Sequence, residues 1–228
     1  MGHTPHIVSD VMTRTVVAVG QEARFKEIVE TMEQWQVSAL PVLEGEGRVV
    51  GVVSEADLLP KEEFREADPS RLEQLQRLDD VRKAGAVTAA ELMSAPAYTV
   101  HADATLAQAA RTMAHKSVKR LPVVDSLGLL QGIVSRADLL KVFLRTDADL
   151  AEEIRTDIVG HLFAMSHDDL DVTVAEGVVT ISGRVRDASV VPMAARLVRA
   201  VEGVVDVTFD VTGPDAARSG PPVADPRR

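Results

Sequence analysis

The chain contains no cysteine. Disulfides, thiolate nucleophiles and Cys-ligated zinc or iron–sulfur sites are therefore excluded together. Aromatic residues make up only 3%, so any core must be built from Val, Leu, Ala, Ile and Met. Positive charge is also in deficit: 25 Lys and Arg stand against 35 Asp and Glu, a formal net charge of −10. Nucleic-acid binding needs a basic patch to displace counterions from phosphates, and none is evident. The same acidity opposes contact with an anionic membrane surface. No apolar run approaches the roughly 20 residues of a spanning helix. Met1 to Asp10 is polar and lacks the apolar centre of a secretory signal, so a cytoplasmic location is expected.

Catalytic signatures are missing as well. There is no G-x-S-x-G, no H-E-x-x-H and no P-loop lysine. His3, His6, His101, His115, His161 and His167 do not pair with carboxylates at metal-ligand spacing, and Asp168-Asp169-Asp171 reads as a solvated turn. The expectation is a non-enzyme with no redox or metal cofactor. What is present suits a globular protein: 228 residues, 46% hydrophobic and 26% charged.

The chain repeats itself. Shifted by 81 positions, Met12 falls on Met93, Val19 on Val100, and Thr31-Met32 on Thr112-Met113. Leu40-Pro41-Val42 falls on Leu121-Pro122-Val123, Gly51 on Gly132, and Ala56-Asp57-Leu58-Leu59 on Ala137-Asp138-Leu139-Leu140. No gap is needed from Val11 to Leu59, so two copies of one supersecondary unit are present. Each reads β-α-β-β-α. A short strand (Val16 to Val19, or Tyr98 to Val100) precedes a helix whose apolar residues recur at helical spacing: Phe25, Ile28, Val29 and Met32, or Leu106, Ala109, Ala110 and Met113. Two strands joined by a tight turn follow, and a helix opens at Ser54 or Ser135.

Between the copies, Pro60 to Thr88 is highly charged, yet Leu72, Leu75, Leu78 and Val81 recur every three residues. This pattern predicts a short amphipathic helix packing on the repeats or on a partner chain. Beyond Asp147 the character changes. Leu150, Ile154, Ile158 and Leu162 mark a helix, Leu170 to Val174 and Val178 to Val185 a hairpin turning at Glu176-Gly177, Val190 to Val201 a helix stopped by Gly203, and Val204 to Val211 a last strand. The tail from Gly213 onward has the composition of a disordered segment.

The L-P-V-V-D and G-[IV]-V-S-x-A-D-L-L motifs, recurring in register, resemble the CBS domain. The α-β-β-α-β segment with E-G-V-V-T-I-S-G-R-V and V-E-G-V-V-D-V resembles the BON domain. The resemblance implies an α+β architecture: tandem CBS repeats packed as a pseudo-twofold pair, the Bateman module, plus a small BON-like domain. The divisions expected are residues 7–60, a linker at 61–87, then 88–147, the BON-like unit at 149–212 and the tail at 213–228.

The candidate site follows from both sources. Ser54-Glu55-Ala56-Asp57 and Ser135-Arg136-Ala137-Asp138 are Ser-x-x-Asp sequences, which cap helices without any ligand. A helix N-terminus also suits a phosphate. In CBS domains the Ser contacts phosphate and the Asp bonds the ribose of an adenosine nucleotide, so the resemblance implies Ser135 and Asp138 in one cleft and Ser54 and Asp57 in the other. Lys119 and Arg120 stand where CBS units place a phosphate-contacting basic residue; the first copy has Ser38 and Ala39 there. The second copy has Arg136 where the first has Glu55. A phosphate and a carboxylate about 6 Å apart repel by roughly 3 kcal/mol at an effective dielectric near 20, about a hundredfold in affinity. The favoured site is therefore Lys119, Arg120, Ser135, Arg136 and Asp138. Trp35 reads as a packing or dimer-interface residue.

The functional expectation is a regulatory homodimer that binds AMP, ADP or ATP and couples it to the BON-like module. The alternative is a dimerisation scaffold whose BON-like domain contacts membrane phospholipid or a protein partner.

Overall fold

A computed structural model describes residues 6–65, 77–164 and 169–213. Contacts divide the chain into two compact units, residues 7–139 and residues 140–228 together with the N-terminal 1–6.

In the first unit, α1 (Val8–Val11), β1 (Val19–Gly20), α2 (Phe25–Trp35), β2 (Ala39–Glu44), β3 (Arg48–Ser54) and α3 (Glu55–Leu58) form the first repeat. A one-turn helix α4 (Pro60–Glu63) and the linker helix α5 (Leu78–Gly85) follow. The second repeat is α6 (Ala89–Leu92), β4 (Val100–His101), α7 (Leu106–His115), β5 (Arg120–Val124), β6 (Leu130–Ser135) and α8 (Arg136–Leu139). Each repeat holds a three-stranded sheet: the first strand runs parallel to the second, and the second antiparallel to the third. Both sheets carry a bulge at the same point, Val42/Leu43 and Val123/Val124, 81 residues apart as the repeat requires. Burial explains the motif: Leu40, Val42, Leu121 and Val123 are fully buried, and the prolines between them, Pro41 and Pro122, sit within the pairing register without needing an N–H.

The copies are interlocked rather than merely adjacent. The leading segment of each repeat bonds to the other one. Val8 N–H donates to the Ala104 carbonyl and Ala89 N–H to the Ala23 carbonyl, both at 2.8 Å. Thr13 and Ile133 exchange two backbone bonds of 2.9 Å, and Ser94 and Val52 exchange their counterparts. Accordingly Ala86, Ala89 and Leu92, which lead into the second repeat, are buried in the core of the first with Ile28, Leu40 and Val53. The repeated Met and Gly now have a physical reason. A Cβ added at Gly51 would stand 2.4 Å from the Met93 sulfur, and one at Gly132 would stand 2.7 Å from the Met12 sulfur. Each methionine lies across the backbone of the other copy, where only glycine leaves room.

The linker helix departs from expectation in its packing. Leu72 and Leu75 lie outside the described residues, while Leu78 and Val81 are exposed. Helix α5 buries none of its residues. Polar contacts hold it instead: Lys61 Nζ donates to the Ala84 carbonyl at 2.9 Å, Arg77 pairs with Asp80 at 2.7 Å and with Glu63, and Lys83 pairs with Asp57. Arg77 is held further into its charged form by those two carboxylates.

In the second unit, α9 (Asp147–Glu153), a wider turn over Ile154–Val159 and α10 (Gly160–Leu162) run without a break. Strands β7 (Leu170–Ala175) and β8 (Val178–Arg184) form the antiparallel hairpin; α11 (Val191–Arg199) crosses to β9 (Asp206–Thr212), which pairs parallel to β8. Ile154, Ile158, Phe163, Val172, Val179, Ile181, Ala194 and Val198 make its core. Glu176 and Gly177 turn the hairpin with positive φ. The Asp147 carboxylate ties that turn to the helix start, accepting from the N–H groups of Glu176 and Gly177 at 2.9 Å each. The tail beyond Gly213 lies outside the described residues.

Candidate functional site

The first unit contains a cleft of about 440 Å³. The starts of β2 and α3, including Ser38, Ser54, Glu55 and Asp57, form one wall. The segment from Ser94 to Tyr98 and the turn from Lys116 to Arg120 form the others. Because the repeats are clasped reciprocally, the beginning of β5 is brought against the beginning of β2. Arg120 Nη2 donates to the Ser38 hydroxyl at 2.6 Å across this junction.

Asp57 is the one charged side chain among the described residues that is buried, at 7% exposure. Its oxygen Oδ2 accepts from the Ser54 N–H and from the Ser54 hydroxyl, both at 2.7 Å. Its other oxygen faces Lys83 and, at 3.5 Å, the Ser94 hydroxyl. Ser135 and Asp138 repeat the first half of this pattern, with bonds of 2.9 and 2.7 Å. The capping role of the Ser-x-x-Asp motif is thus realised in both copies.

Several backbone donors that the sequence offered to a phosphate have internal partners. Ser54 and Ser135 N–H donate to their own Asp, Glu55 N–H to the Ser38 carbonyl at 3.2 Å, and Arg136 N–H to the Lys119 carbonyl at 3.0 Å. Helices α3 and α8 are single turns, so their dipoles are small. The side-chain cations that line the cleft therefore carry the larger share of any attraction for an anion.

Those cations are grouped differently from the expectation. The sequence joined Lys119 and Arg120 to Ser135, Arg136 and Asp138. The structure places Lys119 and Arg120 in the cleft with Ser54 and Asp57, whose lining does not include Ser135, Arg136 or Asp138. The Arg136 guanidinium donates to the Val118 carbonyl at 3.0 and 3.2 Å. Glu55 lines the same cleft as the basic pair, with an exposed side chain. Lys116 and Tyr98 were not anticipated; the Lys116 ammonium lies 4.9 Å from the centre of the Tyr98 ring, at the cleft wall. The sequence signal was faint: Tyr98 is the only tyrosine, in a strand that otherwise reads as core. Lys116, Lys119 and Arg120 form no ion pair with a carboxylate of the described residues. Trp35 is exposed on α2, 55% accessible, outside this cleft.

Among the described residues no group of three His, Asp or Glu side chains is placed to hold a metal ion, and no helix is long and apolar enough to cross a membrane.

Two interlocked βαββα copies around a cation-lined cleft define a tandem-repeat pair. Comparison with known families gives the name: the CBS domain model matches residues 8–61 and 89–145, and the BON domain model matches residues 146–212. The chain belongs to the CBS-domain proteins and carries a BON domain after its CBS pair. The CBS domain is a non-catalytic kind of domain. A protein of Methanocaldococcus jannaschii, MJ1426, is 27% identical over 60% of this chain and 91% of its own length. A regulatory gamma-like subunit of the SNF1-related protein kinase from Arabidopsis thaliana, PV42b, is 32% identical over 62% of this chain and 44% of its own. The crystal structure of CBSX2, an Arabidopsis thaliana protein, in complex with AMP superposes with a TM-score of 0.54. It is 28% identical and covers 61% of this chain and 97% of that one.

Proposed function

We propose that this protein is a regulatory sensor whose CBS pair binds an adenosine nucleotide in the cleft between Asp57 and Arg120. The phosphates lie toward Lys116, Lys119 and Arg120, and the ribose toward Asp57 and Ser54. The observation that carries this reading is electrostatic. In a chain of net charge −10, three cations without a carboxylate partner among the described residues line one cleft whose volume suits a small molecule. The AMP complex of CBSX2, a structure of the same pair architecture, supports the choice of ligand class.

Ser135, Arg136 and Asp138 belong to the pseudo-symmetric second position, which takes a second nucleotide or serves only as a cap. The working form is a homodimer, and the BON domain is the output module: ligand shifts the pair between arrangements, and the BON domain reports the change to a protein or membrane partner.

A thermal-shift titration with AMP, ADP and ATP tests the ligand. At a hundred times its dissociation constant, a nucleotide that binds only the folded state adds about 2.7 kcal/mol of stability. The melting temperature of the full chain is expected to rise with at least one of them. A melt unmoved by all three refutes the reading.

A further inference from the structure

Lys83 stands outside everything the repeat explains. It lies on α5, in the connection that follows the first repeat only, so Asp57 acquires a cationic partner that neither CBS copy encodes. Its ammonium pairs with Asp57, and the two side chains are only 14% and 9% exposed. The helix is fixed in that place at both ends: Arg77 bridges Glu63 and Asp80, and Lys61 holds the Ala84 carbonyl. A carboxylate has about four acceptor positions. Ser54 uses two of those on Asp57 and Lys83 a third; the fourth meets only Ser94, at the long distance of 3.5 Å. One weak contact is thus exchangeable for a ligand hydroxyl, while the charge of Asp57 is cancelled.

The electrostatic consequence concerns selectivity. With Asp57 paired, the cleft presents Lys116, Lys119 and Arg120 against the exposed Glu55 alone. With Asp57 unpaired, a buried negative charge would sit beside the ribose position, where it would favour a cationic adenosine and oppose an anionic one. We infer that Lys83 is a specificity-determining residue of this cleft: by neutralising Asp57 it selects adenosine compounds with anionic phosphate tails over those bearing a positive charge near the ribose. This inference rests on the nucleotide reading of the cleft.

The test compares ATP with S-adenosylmethionine, a sulfonium-bearing adenosine, by calorimetric titration of the full chain. Both ligands share the adenine and the ribose ring but differ in the tail at the 5′ position, so the change in their affinity ratio from one variant to another reads the charge at Asp57 and Lys83. Lys83→Met is expected to lower the ATP preference about tenfold, and Asp57→Asn, which leaves Lys83 uncompensated, to raise it about tenfold. Lys83→Arg keeps the wild-type ratio. Raising salt narrows the differences. Should Lys83→Met fail to fold because Asp57 is left buried and unpaired, the double variant Lys83→Met with Asp57→Asn, which removes both charges of the pair, decides: it is expected to return the ratio to the wild-type value, and a ratio as high as that of Asp57→Asn alone denies Lys83 any effect. A ratio unchanged by Asp57→Asn overturns the selective role while leaving the nucleotide reading intact. Absence of binding by both ligands and by AMP overturns the nucleotide reading, and this inference with it.

Discussion

Replacing Gly51 by Ala probes the clasp between the two CBS copies. The new methyl carbon would stand 2.4 Å from the Met93 sulfur, 2.8 Å from its Cγ and 3.0 Å from its Cβ. All three atoms belong to one side chain; the sulfur and Cγ can move by rotation about the side-chain bonds, but Cβ cannot swing away without moving the segment that enters the second repeat. Inserting a methyl into so tight a contact costs about 1–3 kcal/mol. For a chain of this size each kcal/mol lowers the melting temperature by about 2–4 °C. If the clash with Met93 is the cause, removing Met93 removes it: in a Met93→Ala background, Gly51→Ala is expected to be nearly neutral, giving a coupling energy of about 1–3 kcal/mol in the double-mutant cycle. The mirror cycle behaves differently. A Cβ at Gly132 meets the Met12 sulfur at 2.7 Å, but also the Thr13 carbonyl at 3.0 Å, so Met12→Ala relieves it only in part. Urea denaturation of the four single and two double variants measures both cycles. A Gly51→Ala penalty that persists unchanged without Met93 refutes the interlocked arrangement.

Two further outcomes are expected. Gly183 has φ +129°, and a Cβ there would come within 2.0 Å of the Asp169 carbonyl oxygen, so Gly183→Ala should disrupt the β7–β8 hairpin and expose the BON domain to limited proteolysis while residues 7–139 stay resistant. Glu91 accepts from the Val87 and Thr88 N–H groups at 2.7 and 3.1 Å, and these bonds hold its pKa below the ordinary carboxylate value. A lowered folded-state pKa means stability that is present above the unfolded-state pKa and lost as pH falls through the folded one. Glu91→Gln should therefore flatten the decline in melting temperature between about pH 5 and about pH 3; an unaltered slope would deny the bonds any role.

Much of the architecture was legible because it is written twice. Residues that a strand must bury, such as Leu40 and Val42, recur at Leu121 and Val123, and the period gives the unit and its element order without reference to any partner. The hairpin and crossover of the BON domain were legible for a related reason: alternation, turn residues with positive φ at Glu176 and Gly177, and a glycine stop at Gly203 are local requirements. Helix α5 was visible only in part, since its residues Leu78 and Val81 do not pack and its placement depends on distant polar partners.

Local patterning thus determined which segments become strands and helices, and chain composition determined that their cores are aliphatic apart from Phe163. Only tertiary structure decided which copy each leading segment joins: Val8 bonds to Ala104 and Ala89 to Ala23, each in the other copy, and no local pattern names those partners. The same closure carries Arg120 to Ser38, 82 positions away, while the docking of α5 carries Lys83 to Asp57, 26 positions away. No periodicity encodes those meetings: the first exists because two sheets, once interlocked, bring the starts of equivalent strands together and leave a cleft between them, the second because Lys61 and Arg77 hold α5 in place.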